Sequence, residues 1–388
     1  MKFNFDEVIN RHGTNSYKYD FPERFNKPPG VLPLWVADMD FRIPPGVMAA
    51  IQKVADHGVY GYTDAGEDYF QAVADWFAKK HDYPVKSEWM VKVSGIVFAL
   101  GMAIKGLTAP GDRVLIQKPL YYPIENTIVA NGRVVIDNPL VYSQGRYTID
   151  LNDFEKKIAE NNVRMFILCN PHNPVGRVWT KEELLAMGHI CRRYNCIVVS
   201  DEIHCDLVFE GHKHLVFSTV CDEFAEHSII CTSPSKTFNL AGLQCANIFI
   251  PNEELRARFI HEIWATGYTQ LNTVGLAACQ AAYLHGEEWL AELMRYLAGN
   301  AGFVCEYMAA ELPQVKPVAL EGSYLQWLDF SGLGLEHDEM EERLNRANVW
   351  LSGGTAFGAA GAGFFRVNLA CPRSTLAEAM RRVAGAFR

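Results

Sequence analysis

The sequence predicts an α/β fold with a mostly parallel sheet, and the order of apolar segments along the chain indicates it. Between residues 47 and 285, segments with helical periodicity alternate with short β-branched or apolar runs at 114–117, 165–169, 196–200, 228–232 and 246–250. Parallel strands need a crossover connection, and a helix usually supplies it, so this alternation is typical of a parallel α/β sheet.

Individual helices have readable ends. The segment 181–194 has helical periodicity, and Thr180 followed by Glu183 forms a plausible capping box at its start. We therefore predict that this helix begins directly after Thr180.

The last hundred residues change in character and predict a second domain. A long helix around 287–311 is followed by a strand at 324–330, a helix at 337–347, a strand within GFFRVNLA and a terminal helix. A chain of 388 residues is long enough for about two domains. We predict a large α/β domain over 47–285 and a smaller α+β domain from 1–46 and 286–388, with the proline-rich stretch 27–35 as an arm rather than a core element.

Composition and charge favour a cytoplasmic protein that binds small molecules. The formal net charge of −9 provides no basic excess to neutralise phosphates, which argues against nucleic acid or an anionic membrane as partner. The longest apolar runs are strand-sized, far below the ~20 residues of a membrane helix, and the first residues contain no apolar signal segment. The ten cysteines are dispersed, which fits a reducing compartment.

Four short segments after strands or within one carry candidate chemistry. In CTSPSKTF (231–238), Lys236 follows a strand directly; a buried site could make its amine nucleophilic, although such a lysine alone is more often a surface residue. Asp201 follows the strand CIVV and could pair with a cofactor's pyridine nitrogen or cap a helix, whereas Glu202 would point the other way. In CNPHNPVG (169–176), Asn173 could offer its amide to a cofactor oxygen or simply belong to a turn.

The fourth segment is FFRVNLACPR (364–373), in which Arg366 interrupts an apolar strand. Because its charge must be paired, Arg366 indicates either a bidentate clamp for a substrate carboxylate or a structural ion pair.

Together and in this order, these segments resemble the fold-type I pyridoxal-phosphate enzymes, the aspartate aminotransferase superfamily. The resemblance runs essentially end to end, and it is closest to the MalY/PatB group of cystathionine β-lyases in RHGTNSYKYD, WVADMDF, YGYTD, SDEIHCDL, SPSKTFNLAGLQ and FRVNLACPRS. It implies a large domain with a mostly parallel seven-stranded sheet flanked by helices, a smaller α+β domain, and pyridoxal 5′-phosphate as cofactor.

The resemblance also implies roles for single residues. Lys236 would be the Schiff-base lysine and general base, Asp201 the partner of the pyridinium nitrogen, and Asn173 a contact of the phenolic oxygen O3′. Arg366 would bind the substrate carboxylate, with Asn173 and Tyr121 also in contact with substrate. Tyr121 matches the aromatic residue that stacks on the cofactor ring.

The cofactor phosphate has its own predicted contacts. Ser233 and Ser235 would lie near it, and Gly95, Ile96 and Val97 open a helix whose backbone N–H groups face the anion. Tyr62 matches a tyrosine that reaches the phosphate of the neighbouring subunit, which implies a homodimer with shared active sites.

Two positions depart from the aminotransferase pattern. His204, which we place among the cofactor contacts, stands where many aminotransferases have tyrosine, and Gln244 stands where they have an arginine, which removes one cation from the phosphate site. The resemblance therefore favours β-elimination from cystathionine or a related cysteine conjugate, giving a thiol, pyruvate and ammonia. An aminotransferase on the same scaffold and a regulatory binding protein with secondary lyase activity are the alternatives.

Overall fold

The structure, a computed structural model, describes residues 2–388. Its α-helices are α1 (Pro45–His57), α2 (Glu67–His81), α3 (Ile96–Leu107), α4 (Tyr122–Ala130), α5 (Leu151–Asn161), α6 (Lys181–Arg193), α7 (Pro234–Thr237), α8 (Glu253–Thr266), α9 (Thr273–His285), α10 (Glu287–Glu311), α11 (His337–Arg346) and α12 (Arg373–Ala386). Short 3-10 helices occupy several of the connections. None of the helices in residues 2–388 is long and apolar enough to cross a membrane.

The strands of the described chain form several sheets. They are β1 (Leu32–Pro33), β2 (Met90–Val93), β3 (Arg113–Ile116), β4 (Val134–Asp137), β5 (Val141–Ser143), β6 (Arg146–Thr148), β7 (Met165–Cys169), β8 (Ile197–Asp201), β9 (Ser228–Thr232), β10 (Ala246–Phe249), β11 (Lys316–Pro317), β12 (Leu325–Asp329), β13 (Val349–Trp350), β14 (Ser352–Gly353) and β15 (Phe364–Asn368).

The central sheet has seven strands in the order β2-β10-β9-β8-β7-β3-β4. Neighbours from β9 to β4 are parallel, which confirms the predicted fold class, but β10 runs antiparallel to both β9 and β2. The run at 246–250 is thus an antiparallel strand within the predicted mostly parallel sheet. Between β9 and β10 the chain forms only the four-residue helix α7 and a 3-10 turn, which is too little to carry it back across the sheet for a parallel return.

The central strands β7 to β9 of this sheet are buried on both faces. Along β7, Phe166 and Leu168 belong to one apolar cluster, whereas Met165 and Ile167 belong to a second cluster that also includes α3. This division follows from the alternation of side chains along a strand, and it explains why β7 to β9 are continuous apolar runs in the sequence.

The predicted helix after Thr180 is confirmed. α6 begins at Lys181, and the Thr180 hydroxyl accepts a hydrogen bond from the Glu183 N–H at 3.2 Å while the Glu183 carboxylate accepts one from the Thr180 N–H at 2.8 Å. The reciprocal bonds satisfy two backbone donors that the first turn of a helix leaves without partners.

A second, antiparallel sheet of four strands has the order β11-β12-β15-β14. The proline-rich stretch is more than an arm, because β1 pairs in parallel with β13, and Val31 and Leu34 are buried. Its prolines are tolerated because β1 lies in a two-stranded pair and lacks a second neighbour that would need the missing N–H groups. The predicted domain boundaries remain a prediction.

The parallel register brings the carboxyl ends of three strands side by side. Cys169 of β7 lies opposite Asp201 of β8, and Asp201 lies opposite Cys231 of β9. The loops that follow these strands therefore meet at one edge of the sheet, where open α/β folds bind their ligands.

Candidate active site

A cavity of about 400 Å³ opens where these loops meet the N-terminus of α3. The predicted site residues that line it are Lys236, Asp201, Asn173, Tyr121, His204, Ser233, Ser235, Gly95, Ile96 and Val97. Segments that are far apart in sequence thus contribute to one concave site with few, converging polar groups, which is typical of a small-molecule site.

Lys236 lies on the short helix α7, and its amine is buried. Nζ donates a hydrogen bond to the carbonyl oxygen of Ala37 at 2.6 Å. Burial lowers the pKa of Lys236 to about 8, with the nearby charges of Asp38 and Asp201 raising it and that of Arg366 lowering it. A substantial fraction of the amine is therefore neutral near physiological pH, as a nucleophile or base requires.

Asp201 ends β8 with its side chain in the cavity. The Ile203 N–H donates to Oδ1 at 3.2 Å, and burial raises the pKa of Asp201 to about 7. Glu202 points away from the cavity, as predicted from strand alternation, and its Oε2 lies 2.8 Å from Nε2 of His214. Asp201 caps no helix and forms no ion pair among residues 2–388, so its buried carboxylate suits a cationic ligand group.

Arg366 lies in the middle of β15 and behind Asn173. Its Nη1 donates to Oδ1 of Asn173 at 2.8 Å, and its Nη2 donates to the carbonyl oxygen of Trp35 at 2.8 Å. Its Nε is buried without a partner. Within the described chain Arg366 has no carboxylate in ion-pair contact, so a structural ion pair does not account for its charge.

Arg366 does not itself line the cavity and reaches its edge through Asn173. Burial lowers the pKa of the guanidinium to about 10, which reflects how poorly its charge is compensated. An uncompensated buried cation is costly, and a carboxylate ligand would offset that cost.

The start of α3 forms one end of the cavity. Gly95 precedes the helix and gives it no side-chain cap, and a Cβ on Gly95 would meet nothing within 4 Å, so the space in front of it is open. Ser94, Ile96 and Val97 line the cavity beside it. The uncapped N–H groups and the positive end of the helix dipole favour an anion there.

The two serines of the 231–238 segment face the same end. The Ser233 hydroxyl donates to the carbonyl oxygen of Cys245 at 2.7 Å and accepts from the Ser235 N–H at 3.1 Å, which caps α7. Gln244 also lines the cavity. This end therefore offers hydroxyl, amide and backbone N–H donors but no arginine.

Tyr121 and His204 cover other parts of the cavity. The Tyr121 ring is largely buried, and burial raises the pKa of its hydroxyl to about 12. His204 is buried, its Nδ1 has no partner in the described chain, and burial lowers the pKa of its ring to about 3. Both side chains are thus neutral near physiological pH, and His204 has an unused ring nitrogen.

Tyr62 does not belong to this cavity within one chain. Its side chain is 99% exposed and lines a separate surface depression with Tyr60 and Tyr268. The predicted contact with a neighbouring subunit stays a prediction.

Sequence reasoning missed the segment around Ala37. The Ala37 carbonyl oxygen accepts hydrogen bonds from Lys236 Nζ and, at 2.8 Å, from the Tyr324 hydroxyl. The next residue, Asp38, forms a buried ion network in which Arg11 bridges Asp38 and Asp40, and Lys18 lies against the same carboxylates. The signal was present in WVADMDF, where two carboxylates alternate with apolar residues and so must be buried with partners.

The fold and the cavity together define the class of protein. The model of the family described as aminotransferase class I and II matches residues 29–383, and the chain belongs to this family. Within it, the chain is 42% identical over 385 residues to cystathionine β-lyase PatB of Bacillus subtilis, covering 99% of this chain and 100% of PatB. It is 30% identical to protein MalY of Escherichia coli, covering 100% of this chain and 99% of MalY.

Solved structures agree with these relatives. Cystalysin from Treponema denticola, whose crystal structure contains a pyridoxal 5′-phosphate cofactor, superposes with a TM-score of 0.96 at 36% identity and covers 100% of this chain and 99% of its own. The sequence-based prediction of the MalY/PatB group and of its fold is confirmed.

Proposed function

We propose that the protein is a pyridoxal-phosphate-dependent carbon–sulfur β-lyase that converts cystathionine or a related cysteine conjugate to a thiol, pyruvate and ammonia. The convergence of Lys236, Asp201 and Asn173 in one cavity, with Arg366 directly behind the asparagine, supports cofactor chemistry at this site, and the full-length similarity to PatB favours β-elimination. PatB, the relative of matching length, is named for this reaction.

The residues of the cavity fit the cofactor group by group. The uncapped start of α3 with Ser233 and Ser235 suits a phosphate, and the buried Asp201 suits a protonated ring nitrogen. The partially neutral amine of Lys236 suits an aldehyde. His204, whose Nδ1 has no partner in the described chain, also lines the cavity, and the unpartnered Nε of Arg366 lies behind Asn173.

Each residue then has a defined task. When bound, the cofactor supplies an electron sink for charge that develops at the substrate's α-carbon. Asp201 would keep the ring nitrogen protonated, Asn173 would contact the phenolic oxygen, and Tyr121 would pack against the ring. Arg366 binds the substrate carboxylate and so orients the α-hydrogen toward Lys236.

Lys236 carries the proton transfer. Its amine would accept the α-proton of the bound substrate and, once protonated, would be an acid available to the departing sulfur. The Cβ–S bond breaks, its electron pair leaves with the thiolate, and water hydrolyses the remaining three-carbon fragment to pyruvate and ammonia. Transamination would use the same proton removal, so the residues of the cavity alone do not distinguish the two outcomes.

A product assay tests the proposal. Purified protein with added cofactor is incubated with cystathionine, and pyruvate and free thiol are measured, with Lys236→Ala as the inactive control. We expect equal amounts of both products. Amino transfer that depends on an added 2-oxo acid, without thiol release, would contradict the lyase function and support the aminotransferase.

We also propose a homodimer with shared active sites, in which Tyr62 contacts the cofactor phosphate of the partner. The support is an exposed apolar surface at the 58–64 segment, where Tyr60 and Tyr62 line one depression and Val59 and Leu284 line another, and both depressions share Thr273. Such a surface is larger than isolated apolar residues would explain and suits association with a second copy.

Subunit complementation tests the shared site. Lys236→Ala and Tyr62→Ala variants are each expected to be weakly active or inactive. A co-expressed mixed dimer should regain one working site, because one chain supplies Lys236 and the other supplies Tyr62. A mixture no more active than the sum of the separate variants would contradict a shared site.

The division into two domains and a cytoplasmic location are proposals as well. All ten cysteines are free thiols, nine of them at least partly buried, which suits a reducing compartment.

A further inference from the structure

A buried hydrogen-bond cluster lies beside α7, and its residues do not line the cavity. Its centre is the carboxylate of Asp206, whose side chain is 3% exposed. Oδ1 accepts from Nε1 of Trp76 at 3.0 Å and lies 2.8 Å from Nε2 of His81, and Oδ2 accepts from the Thr237 hydroxyl at 2.8 Å. Trp76 and His81 lie on α2, so the carboxylate joins three separate segments of the chain.

The contact with Thr237 matters because Thr237 is the residue next to Lys236. The helix α7 has only four residues, and a helix of that length is not stable by itself. Side-chain anchors must therefore fix its position. Ser233 anchors the first end to the Cys245 carbonyl, and Thr237 anchors the last end to Asp206.

Hydrogen-bond donors stabilise the charged form of Asp206. Burial opposes ionisation, but the donors of His81, Thr237 and Trp76 together hold the pKa of Asp206 below its ordinary value. A charged acceptor makes a stronger and more directional hydrogen bond than a neutral one. The Thr237 hydroxyl is thereby held in one orientation.

The same loop carries the predicted partner of the ring nitrogen. Asp201 and Asp206 lie five residues apart, and the loop between them is closed by backbone bonds from Cys205 to Glu202 and from Leu207 to His204. A shift of Asp206 would therefore disturb α7 and the loop of Asp201 together.

We propose that Asp206, held by His81 and Trp76, is a positioning residue that fixes the amine of Lys236 through the Thr237 hydroxyl. It touches neither substrate nor cofactor and acts only by holding α7 in register with the cavity. The inference rests on the proposed function of Lys236 as cofactor anchor and base.

Matched substitutions at Thr237 test the proposal in the full-length enzyme. Thr237→Val removes the hydroxyl and keeps the shape, whereas Thr237→Ser keeps the hydroxyl. Because displacement of a catalytic group by about 1 Å can cost on the order of 100-fold in rate, we expect Thr237→Val to lower kcat about 10- to 100-fold with KM nearly unchanged. Thr237→Ser should retain most of kcat.

Two readouts do not depend on activity. Uptake of pyridoxal phosphate by cofactor-free protein, followed by visible absorbance, should slow in Thr237→Val and in Asp206→Asn but not in Thr237→Ser. The final visible band of the two impaired variants should also differ from that of the wild type. If the wild type binds cofactor but releases no thiol, the proposed function fails while this spectroscopic test of positioning still applies.

A control separates positioning from simple loss of stability. Thr108 is a buried threonine at the far end of α3, where its hydroxyl bonds the Ile104 carbonyl and accepts from Arg133 Nε. Thr108→Val should lower the melting temperature of the cofactor-free protein without changing kcat or the band. If Thr237→Val behaves like this control, or if Thr237→Ser falls as far as Thr237→Val, the proposal is overturned.

A metal site is the other possible role of the cluster, and zinc analysis of the purified enzyme tests it. Donor atoms of His81, Cys205 and Asp206 lie within 4.8 Å of one another. We expect purified enzyme to be free of zinc, because both oxygens of Asp206 already accept hydrogen bonds. Stoichiometric zinc that is lost in Cys205→Ser, with kcat following the metal content, would also overturn the proposal.

Discussion

Replacing Asp201 with asparagine should stabilise the cofactor-free protein while impairing the enzyme. Asp201 is buried, accepts one hydrogen bond, from the Ile203 N–H, and has no cationic partner at ion-pair distance in the described chain. Asparagine keeps the oxygen that accepts this bond and removes the charge. The substitution therefore isolates the free-energy cost of burying an unpaired carboxylate in the cofactor-free protein.

The raised pKa of Asp201 determines how much stability the substitution gains and how this gain depends on pH. Burial moves the pKa of Asp201 from 3.8 to about 7. The folded state thus binds this proton more tightly than the unfolded state, so the carboxylate destabilises the fold increasingly as pH rises from about 4 to 7 and fully above 7. The difference corresponds to roughly 4 kcal/mol at pH 8 and roughly 1–2 kcal/mol at pH 5.

Denaturant unfolding of cofactor-free wild type and Asp201→Asn at pH 5 and pH 8 measures both values. The matched control is Asp206→Asn, which should lose stability because the pKa of Asp206 is lowered by its donors. Added pyridoxal phosphate should stabilise the wild type far more than Asp201→Asn, since only the carboxylate can pair with a protonated ring nitrogen. An equal effect of Asp201→Asn at both pH values, or a loss of stability at pH 8, would refute the reasoning.

Three further predictions concern the same cavity. In cofactor-free protein, labelling of Lys236 by an amine-reactive reagent, measured by mass spectrometry, should be half-maximal near pH 8, and a midpoint above pH 10 would show that burial does not lower its pKa. Arg366→Lys should raise the KM for cystathionine on the order of 100-fold, because lysine cannot make the bidentate contact, with little change in cofactor affinity by titration. Gln244→Arg should tighten cofactor binding, measured by fluorescence titration, by adding a cation beside the phosphate end; weaker binding would show that Gln244 does not face the phosphate.

The sequence could predict those site residues that lie at the ends of strands. Lys236, Asp201 and Asn173 each come directly after a recognisable apolar run, and a parallel sheet brings such positions to one edge. The helix α3 at one end of the cavity was predictable for a similar reason, because Gly95 precedes a segment with clear helical periodicity.

What the sequence could not predict depends on contacts between distant segments. The bond from Lys236 to the Ala37 carbonyl joins positions 199 apart, and nothing local to either marks it. The direction of β10 is another case, since its apolar run is the same for either orientation and only the short connection after β9 decides it. The place of Arg366 behind Asn173, outside the cavity wall, likewise follows from how β15 packs against the central sheet's loops.

One physical cause accounts for most of the chemistry in the cavity. The same burial lowers the pKa of Lys236, raises that of Asp201, and lowers those of Arg366 and His204. For Asp201 and Arg366 the charged form lacks a full set of partners in the protein alone, so the fold carries a free-energy cost that a ligand group of opposite charge can offset. A protonated ring nitrogen and a substrate carboxylate would provide those charges. Stability and cofactor binding should therefore be linked. A substitution that stabilises the cofactor-free protein by removing such a charge should weaken cofactor binding.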